Sequence, residues 1–559
     1  MKKSRVFWGW LAVAMILNCT ARHAMGETFN VSTVQQLRTA LNEAAANDED
    51  DLINISTGTY HVDVTLTYHS GGVHSLTIVG AGIGSTRLDG GSARQILTLA
   101  TSQSGAQLLL RGITFQNGTT ALSGGALQAA TSAASITIEN CEFNDNAATA
   151  NDSIGGGVNL GSDSGPIWVT SCAFRRNACN GNVGGLYVGT VTGGIHLTRS
   201  LFQQNQVVNS GGYDYYGDGG GAMLYGHATC HITVRHNTFE SNTASGGSNP
   251  DGGGIMTYQM GAACEVTMED NTFTNNQAGL GGGGCIVRIN NSGSAAFHRN
   301  SFSGNSTLVG SGAGSLIYID SGTLNCTENS YGNNHSAEDG GGASLTLLVG
   351  TAVISGNNYR ANEAANNGGG LMVMTESAST SFTRNTFSVN TAGNVGGGLS
   401  YATTNGTLLC TNNTHYANSA STDGGGMYLY FDQSTAQTTL KNNILWHDQP
   451  NELNYSYGSG AGPLAMTYSD AEGGSAEPWF GTGCIAVDPR FANPAAGDFN
   501  LSWPNYPIAD AGKSPCIDSG DPASPRDPDG TRVDMGARYF RQANPADLDP
   551  SSIMMLLLL

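Results

Sequence analysis

Four residues share a slot that is polar in most β repeats. Counting from each glycine run, the fourth following positions on successive repeats are Tyr225, Tyr258, Arg288 and Tyr318, and the second positions are Met223, Met256, Ile286 and Leu316. In a strand these positions point away from the core. The longest loops fall beside them, and "NSGGYDYYGDGGG" adds Tyr213, Tyr215 and Tyr216. Aromatic faces with polar groups along a groove suit carbohydrate, because sugar C–H faces stack on rings. The alternative is that the long loops fold back and cover the column.

Acid–base chemistry has a thinner basis. Polysaccharide hydrolysis needs two or three close carboxylates, and lyase chemistry a carboxylate-bound cation with a basic residue. The outward strand positions hold Glu139, Arg235, Glu269, His298 and Lys441, which read as a solvated surface. Asp218, Asp251, Asp339 and Asp423 precede glycine runs and read as turn residues. "DSGDPASPRDPDG" carries Asp518, Asp521, Asp527 and Asp529. It lacks the spacing of a calcium loop, so Ca²⁺ is the only cofactor worth weighing, and none is the expectation.

The cysteines offer redox chemistry. Cys141 and Cys172 hold equivalent positions on neighbouring repeats, as do Cys230 and Cys264, while Cys484 and Cys516 lie in or beside the C-terminal unit. Stacked positions about 4.8 Å apart fall within disulfide range. Parallel side chains in one column often have the wrong torsion, so buried free thiols are the alternative. Cys326 and Cys410 share an inward column three repeats apart and must stay unbonded.

The element that positions all of these is a repeat. An aromatic residue followed three positions later by asparagine recurs from Phe115 through Phe387, and His415 and Leu445 continue the series. The intervals run from 28 to 37 residues with a mean of 30. Seven and five residues before each anchor come apolar residues, such as Ile136 and Ile138 or Ile232 and Val234, with polar residues between. That period of two marks a strand with one buried face. Asparagine follows each anchor at Asn146, Asn177, Asn205, Asn242, Asn276, Asn305, Asn334, Asn362, Asn390 and Asn418. One such repeat cannot bury its apolar face alone, but a stack of them can. The pattern predicts an all-β chain, a single-stranded parallel β-helix over 51–445. Asparagine side chains should stack and bond along its axis. Val34, Leu37 and Leu41, after a Ser32/Gln35 capping box, predict a helix in 27–50 that plugs the N-terminal end. Residues 446–484 are expected to hold the last turns, 485–540 a small C-terminal domain, and 541–559 a tail.

Composition bounds the partners. Glycine is 79 of 559 residues, charged residues are 12% and the net charge is −20. A polyanion repels phosphate backbones, so nucleic acid is not an expected partner. Lys2, Lys3 and Arg5 precede a 12-residue apolar run, Val6 to Leu17, which is too short to span a bilayer. It reads as a signal peptide over 1–26 cut before Glu27, with a lipoprotein cut before Cys19 as the rival. Secretion or display on the outer cell surface follows, with no transmembrane helix in the mature chain and a monomer expected.

The "F-x-x-N" and "GGGA/GGGI" motifs resemble right-handed β-helix proteins of the pectate-lyase-like superfamily, especially the polymorphic outer-membrane protein repeats of chlamydiae. The segment "VDPRFANPAAGDFNLSWPNYPIADAGKSPCIDSGDPASPRDPDGTRVDMGARYF" is similar to the choice-of-anchor Q domain. The resemblance implies a right-handed helix and, for the C-terminal unit, capping or surface placement. The leading expectation is a surface protein that binds or adheres to polysaccharide or another surface without catalysis. A polysaccharide lyase or glycoside hydrolase with a divergent site, and a structural stalk, are the alternatives.

Overall fold

The computed structural model describes residues 25–102, 104–208, 219–245, 251–433, 437–459 and 464–542. The expected signal segment up to residue 24 and the tail from 543 lie outside these, as do Tyr213, Tyr215, Tyr216 and Asp218. The chain is a parallel β-solenoid of about fifteen turns, with strands stacked into sheets of 27, 15 and 11 members. One turn illustrates the rest. Strand Ala222–Gly226 and strand His231–Arg235 lie on the largest sheet, Thr238–Glu240 on the second and Thr243–Ala244 on the third.

The anchors stack in register on the second sheet. From Phe115 to His415 successive rings lie 4.6–5.0 Å apart and within 13° of parallel. That spacing is the strand separation itself. The asparagine column also forms. Asn276 donates from Nδ2 to Asn305 Oδ1 (3.0 Å) and to the Phe239 carbonyl (2.9 Å), and its own Oδ1 accepts from the Asn242 amide and Nδ2. A buried amide is fully satisfied in this arrangement, which removes the cost of burying it.

A second ladder was not read from the sequence. Asn237, Asn271, Asn300, Asn329, Asn357, Asn385, Asn413 and Asn443 bond in the same way along the axis. They occupy the slot two before each anchor, which Cys141, Cys172 and Ser200 fill on earlier turns.

The glycine runs serve close approach as much as turning. The first glycine of a run has positive φ, as at Gly340 (65°) and Gly424 (60°). The third, as at Gly342, Gly370 and Gly398, does not. A Cβ there would come within 2.4–2.5 Å of the glycine carbonyl on the next turn, so the stack admits no side chain.

At the N-terminal end, α1 (Val34–Ala44) buries Leu37, Ala40, Leu41 and Ala44 in the solenoid core. Its cap is Thr33, whose side chain accepts from the Gln36 amide at 3.2 Å; Ser32 instead donates its amide to Gln36 Oε1, so the box sits one residue later than expected. Strand β1 (Met25–Val31) precedes the helix and pairs in parallel with β2 (Asp50–Ile55).

The C-terminal arrangement corrects the capping expectation. Leu464, Met466, Ala471 and Trp479 join the main core and close that end. The unit beyond residue 485 packs on the flank of the second sheet instead. Ile444 on that flank clusters with Leu501, Cys516, Ile517 and Met535. Lys441 pairs with Asp521 at 2.8 Å, and Ala537 donates to Thr414 Oγ1 at 2.9 Å. Among the described residues no helix is long and apolar enough to cross a membrane.

Candidate functional site

The strand after each glycine run presents the expected column in register. Met223 lies opposite Met256, which lies opposite Ile286 and then Leu316; Tyr225, Tyr258, Arg288 and Tyr318 align likewise. The Tyr225 and Tyr258 rings stack at 5.9 Å with 8° between planes, and the Arg288 guanidinium lies 5.3 Å from the Tyr318 ring centroid.

The column is only partly open. Met223, Met256, Tyr258 and Ile286 are buried with Val183 in an apolar cluster outside the main core, against which Ile154, Tyr187, Tyr225 and Leu316 pack. Tyr258 is 7% exposed and its hydroxyl accepts from Asn290 Nδ2 at 2.9 Å. It supports the face and does not offer its own ring. Tyr225 and Tyr318 are half-buried and Arg288 is exposed.

Two cavities open along this strip. One, of about 270 Å³, is lined by Ile154, Asn182, Tyr187, Met223 and Tyr225. The other, of about 490 Å³, includes Asp251, Arg288, Leu316, Tyr318 and Glu338 in its wall. Burial lifts the Asp251 carboxyl to about 6, with Arg288 pulling against that rise. Burial is also the main cause that raises the Tyr318 phenol.

The remaining sequence candidates fall elsewhere. Glu139, Arg235, Glu269 and His298 join surface ion pairs, Arg235 to Glu269 at 3.0 Å and Arg299 to Glu269 at 2.6 Å. Lys441 is the exception, because it clamps the C-terminal unit. Asp339 and Asp423 accept from Asn367 and Asn451 of the next turn, not from their own turn backbone. The four aspartates of the C-terminal loop do not converge. Asp518 faces Lys513 and Gln542, Asp521 faces Lys441, Asp527 faces Arg384, and Asp529 holds Thr531. Among the described residues no group of three metal-ligating side chains comes together.

The proposed disulfides are absent: all ten described cysteines are free thiols. Cys141 and Cys172 each turn the thiol to the carbonyl two residues earlier, Glu139 and Thr170, so the sulfurs run parallel and do not face each other. Cys230 and Cys264 meet as two hydrogen-bonded thiols, and Cys264 also reaches the Ala228 carbonyl at 3.0 Å. Cys484 bonds the Met466 carbonyl at the closed end, whereas Cys516 bonds Asp470 in the flank cluster. Cys326 and Cys410 lie three turns apart in one inward column, as the register required, and burial pushes both thiols up to about 12.

One feature escaped the sequence reading. Asp448 and Glu452 meet at the C-terminal end, the Asp448 amide donating to Glu452 Oε1 at 3.2 Å. Asp448 is three residues after the Leu445 anchor, in the asparagine slot, so extending the register by one turn would have found it.

Residues 96–302 match the family model described as a right-handed β-helix region. No curated protein matches the chain. Among solved structures, one similar fold is titled a mannuronic acid specific polysaccharide family 6 lyase enzyme from human gut microbiota. It is 11% identical, with 78% of this chain and 91% of that chain covered at a TM-score of 0.32. Residues 96–302 therefore carry a right-handed β-helix region, within the longer parallel solenoid.

Proposed function

We propose that the protein is an exported or surface-displayed β-helix that binds polysaccharide along the strip from Tyr187 to Tyr318, without catalysis. The observation that carries this reading is the pair of cavities walled by partly open tyrosines, with Arg288 held over Tyr318. Rings present flat apolar faces to sugar C–H groups, while Arg288, Asp251 and Glu338 supply donors and acceptors for hydroxyls or carboxylates. The buried methionines beneath keep the rings in place. The basic start and short apolar run of the sequence support export.

One observation favours the enzymatic alternative, a polysaccharide lyase or glycoside hydrolase. Asp251, lifted to about 6, sits in the same cavity as Glu338 and Arg288, and a carboxyl titrating near neutrality suits general acid–base work. A polysaccharide array scored for both binding and new chain ends separates the two. Replacing Tyr225, Arg288 and Tyr318 together with alanine should weaken binding at least about tenfold, on the scale of a few ring contacts, with thermal unfolding unchanged. Undiminished binding removes the site. New reducing or unsaturated ends that vanish in Asp251→Asn establish the enzyme instead.

A further inference from the structure

Sulfur chemistry sits at the corner between the two strands of the largest sheet, on the turns that carry Tyr225 and Tyr258. Cys230 directly precedes strand His231–Arg235, and Cys264 opens strand Cys264–Glu269. His231 pairs in parallel with Glu265, and the Glu265 amide donates to the Cys230 carbonyl at 3.1 Å, so the two cysteines are stacked neighbours on successive turns. At a turn spacing of about 4.8 Å their Cα atoms fall inside the range that a disulfide spans. Their thiols are in hydrogen-bond contact, with Cys230 as the donor.

The corner is built around these sulfurs. A Cβ at Gly226 would overlap Cys230 Sγ, whereas the slots stacked on either side of Gly226 hold Thr190 and Gln259. Glycine in that slot makes room for the thiol. Gln259 borders the same space and is fully buried with neither amide atom hydrogen-bonded, so a donor without an acceptor lies near the sulfurs. A third sulfur, that of Met260, accepts from the Tyr225 hydroxyl at 3.0 Å. Cys141 and Cys172 are stacked in the same way, but each thiol donates to a carbonyl of its own turn and the two do not meet.

We propose that Cys230 and Cys264 form a redox dithiol, which a small-molecule disulfide such as oxidised glutathione converts to a disulfide bridging two turns, while Cys141 and Cys172 stay reduced. Cys264 attacks: its thiolate displaces one thiolate from the oxidant and forms a mixed disulfide. Cys230 resolves: it loses its proton, attacks the Cys264 sulfur and displaces the second thiolate. Two protein thiols give up two electrons and two protons, and the oxidant leaves as two thiols.

The surroundings assign the two roles. Donation from Cys230 holds the Cys264 thiol below its ordinary value, against burial, and the same bond holds Cys230 above its own. Burial is the main cause that pushes Cys141 up to about 12, which leaves it a thiol, and the thiolate is the nucleophile. Both sulfurs of the reactive pair are buried, but the turn over them, residues 260–263, is short and largely exposed. Ala263 in that turn sits at φ 58°, a left-handed conformation that costs an alanine. Local opening of this one turn admits the oxidant without disturbing the stack.

The test starts from the full chain, reduced and then exposed while folded to oxidised glutathione. Samples are quenched in acid, alkylated in denaturant and mapped as peptides without reduction. Two thiols should be lost, with Cys230 joined to Cys264 and with Cys141 and Cys172 still alkylated. In Cys230→Ser the glutathione should remain on Cys264, since the serine hydroxyl still donates and cannot resolve. In Cys264→Ser the thiol of Cys230 should react at least tenfold more slowly than Cys264 does in Cys230→Ser. No link between Cys230 and Cys264, or a link between Cys141 and Cys172 formed as fast, would overturn the proposal. Equal reactivity of the two single variants would overturn the assignment of attacking and resolving thiols. Where a variant fails to fold, the comparison of the two stacked pairs within the parent chain decides the matter.

Discussion

The asparagine ladder and its last member place similar side chains in one column to opposite effect. From Asn146 to Asn418 every member is an amide that both donates and accepts, so each turn satisfies the one before it and is satisfied by the one after. At Asp448 the amide becomes a carboxyl, the donor is lost, and the carboxyl turns instead to the side chain of Glu452. A repeat interior has to propagate its hydrogen bonds, which fixes the residue type. An end has no such obligation, so ionisable groups collect there. The same contrast separates the glycine stack from Glu452, and the neutral interior from Asp470 and Asp534, whose carboxyls burial raises to about 7 at the flank of the last turns.

The sharpest way to break this comparison is to make the interior resemble the end. Asn276→Asp removes the Nδ2 donor that serves both Asn305 and the Phe239 carbonyl and places a carboxyl among groups already satisfied. A loss of about 3–5 kcal/mol is expected, the range for an uncompensated buried charge. Urea unfolding followed by circular dichroism measures it. A variant as stable as the parent would show that the ladder is decorative.

Most of the interior was legible in the sequence because it repeats. The anchor and asparagine slots recur often enough for one register to place Tyr225, Tyr258, Arg288 and Tyr318 in a single column. What repetition could not convey is what covers a column. Tyr258 and Tyr318 occupy equivalent positions, yet one is buried, stacked on Tyr225 and bonded by Asn290, and the other is half-open. The end groups were missed for a related reason. Carboxyl pairs were sought on strands and in the aspartate-rich loop, whereas Asp448 and Glu452 meet only because the last turn departs from the pattern in two slots at once. The second asparagine ladder was within reach, since Cys141 and Cys172 had already marked its slot.

A smaller effect comes from pH. Asp470 and Asp534 titrate near 7 in the fold, against about 3.8–3.9 for an unperturbed aspartate. Between those values the native state holds protons that the unfolded chain has released. Their contribution is therefore complete below about pH 4 and is lost as pH rises to 7. His415, buried in the ring stack and lowered to about 3, works the other way, gaining stability as pH rises from 3 to about 6.5. The flank carboxyls act locally on the last turns. Hydrogen exchange should therefore show residues 440–540 opening more readily at pH 8 than at pH 5, while amides near Asn276 change little. Uniform loosening along the axis would erase the distinction between interior and end.

The finest test makes the end resemble the interior. Asp448→Asn restores the ladder's residue type at its last position, and the asparagine Oδ1 can still accept from Asn418. At pH 5 the parent carboxyl is largely protonated and close to an amide in charge, so the variant should match the parent. At pH 8 the parent tends to ionise in a buried site beside Glu452, and the variant does not. A gain of about 1–2 kcal/mol at pH 8 that disappears at pH 5 is expected, the order of one unsatisfied buried group. Thermal unfolding of both proteins at the two pH values measures it. An equal gain at both would mean that hydrogen-bond geometry, and not charge, distinguishes the end of the ladder from its middle.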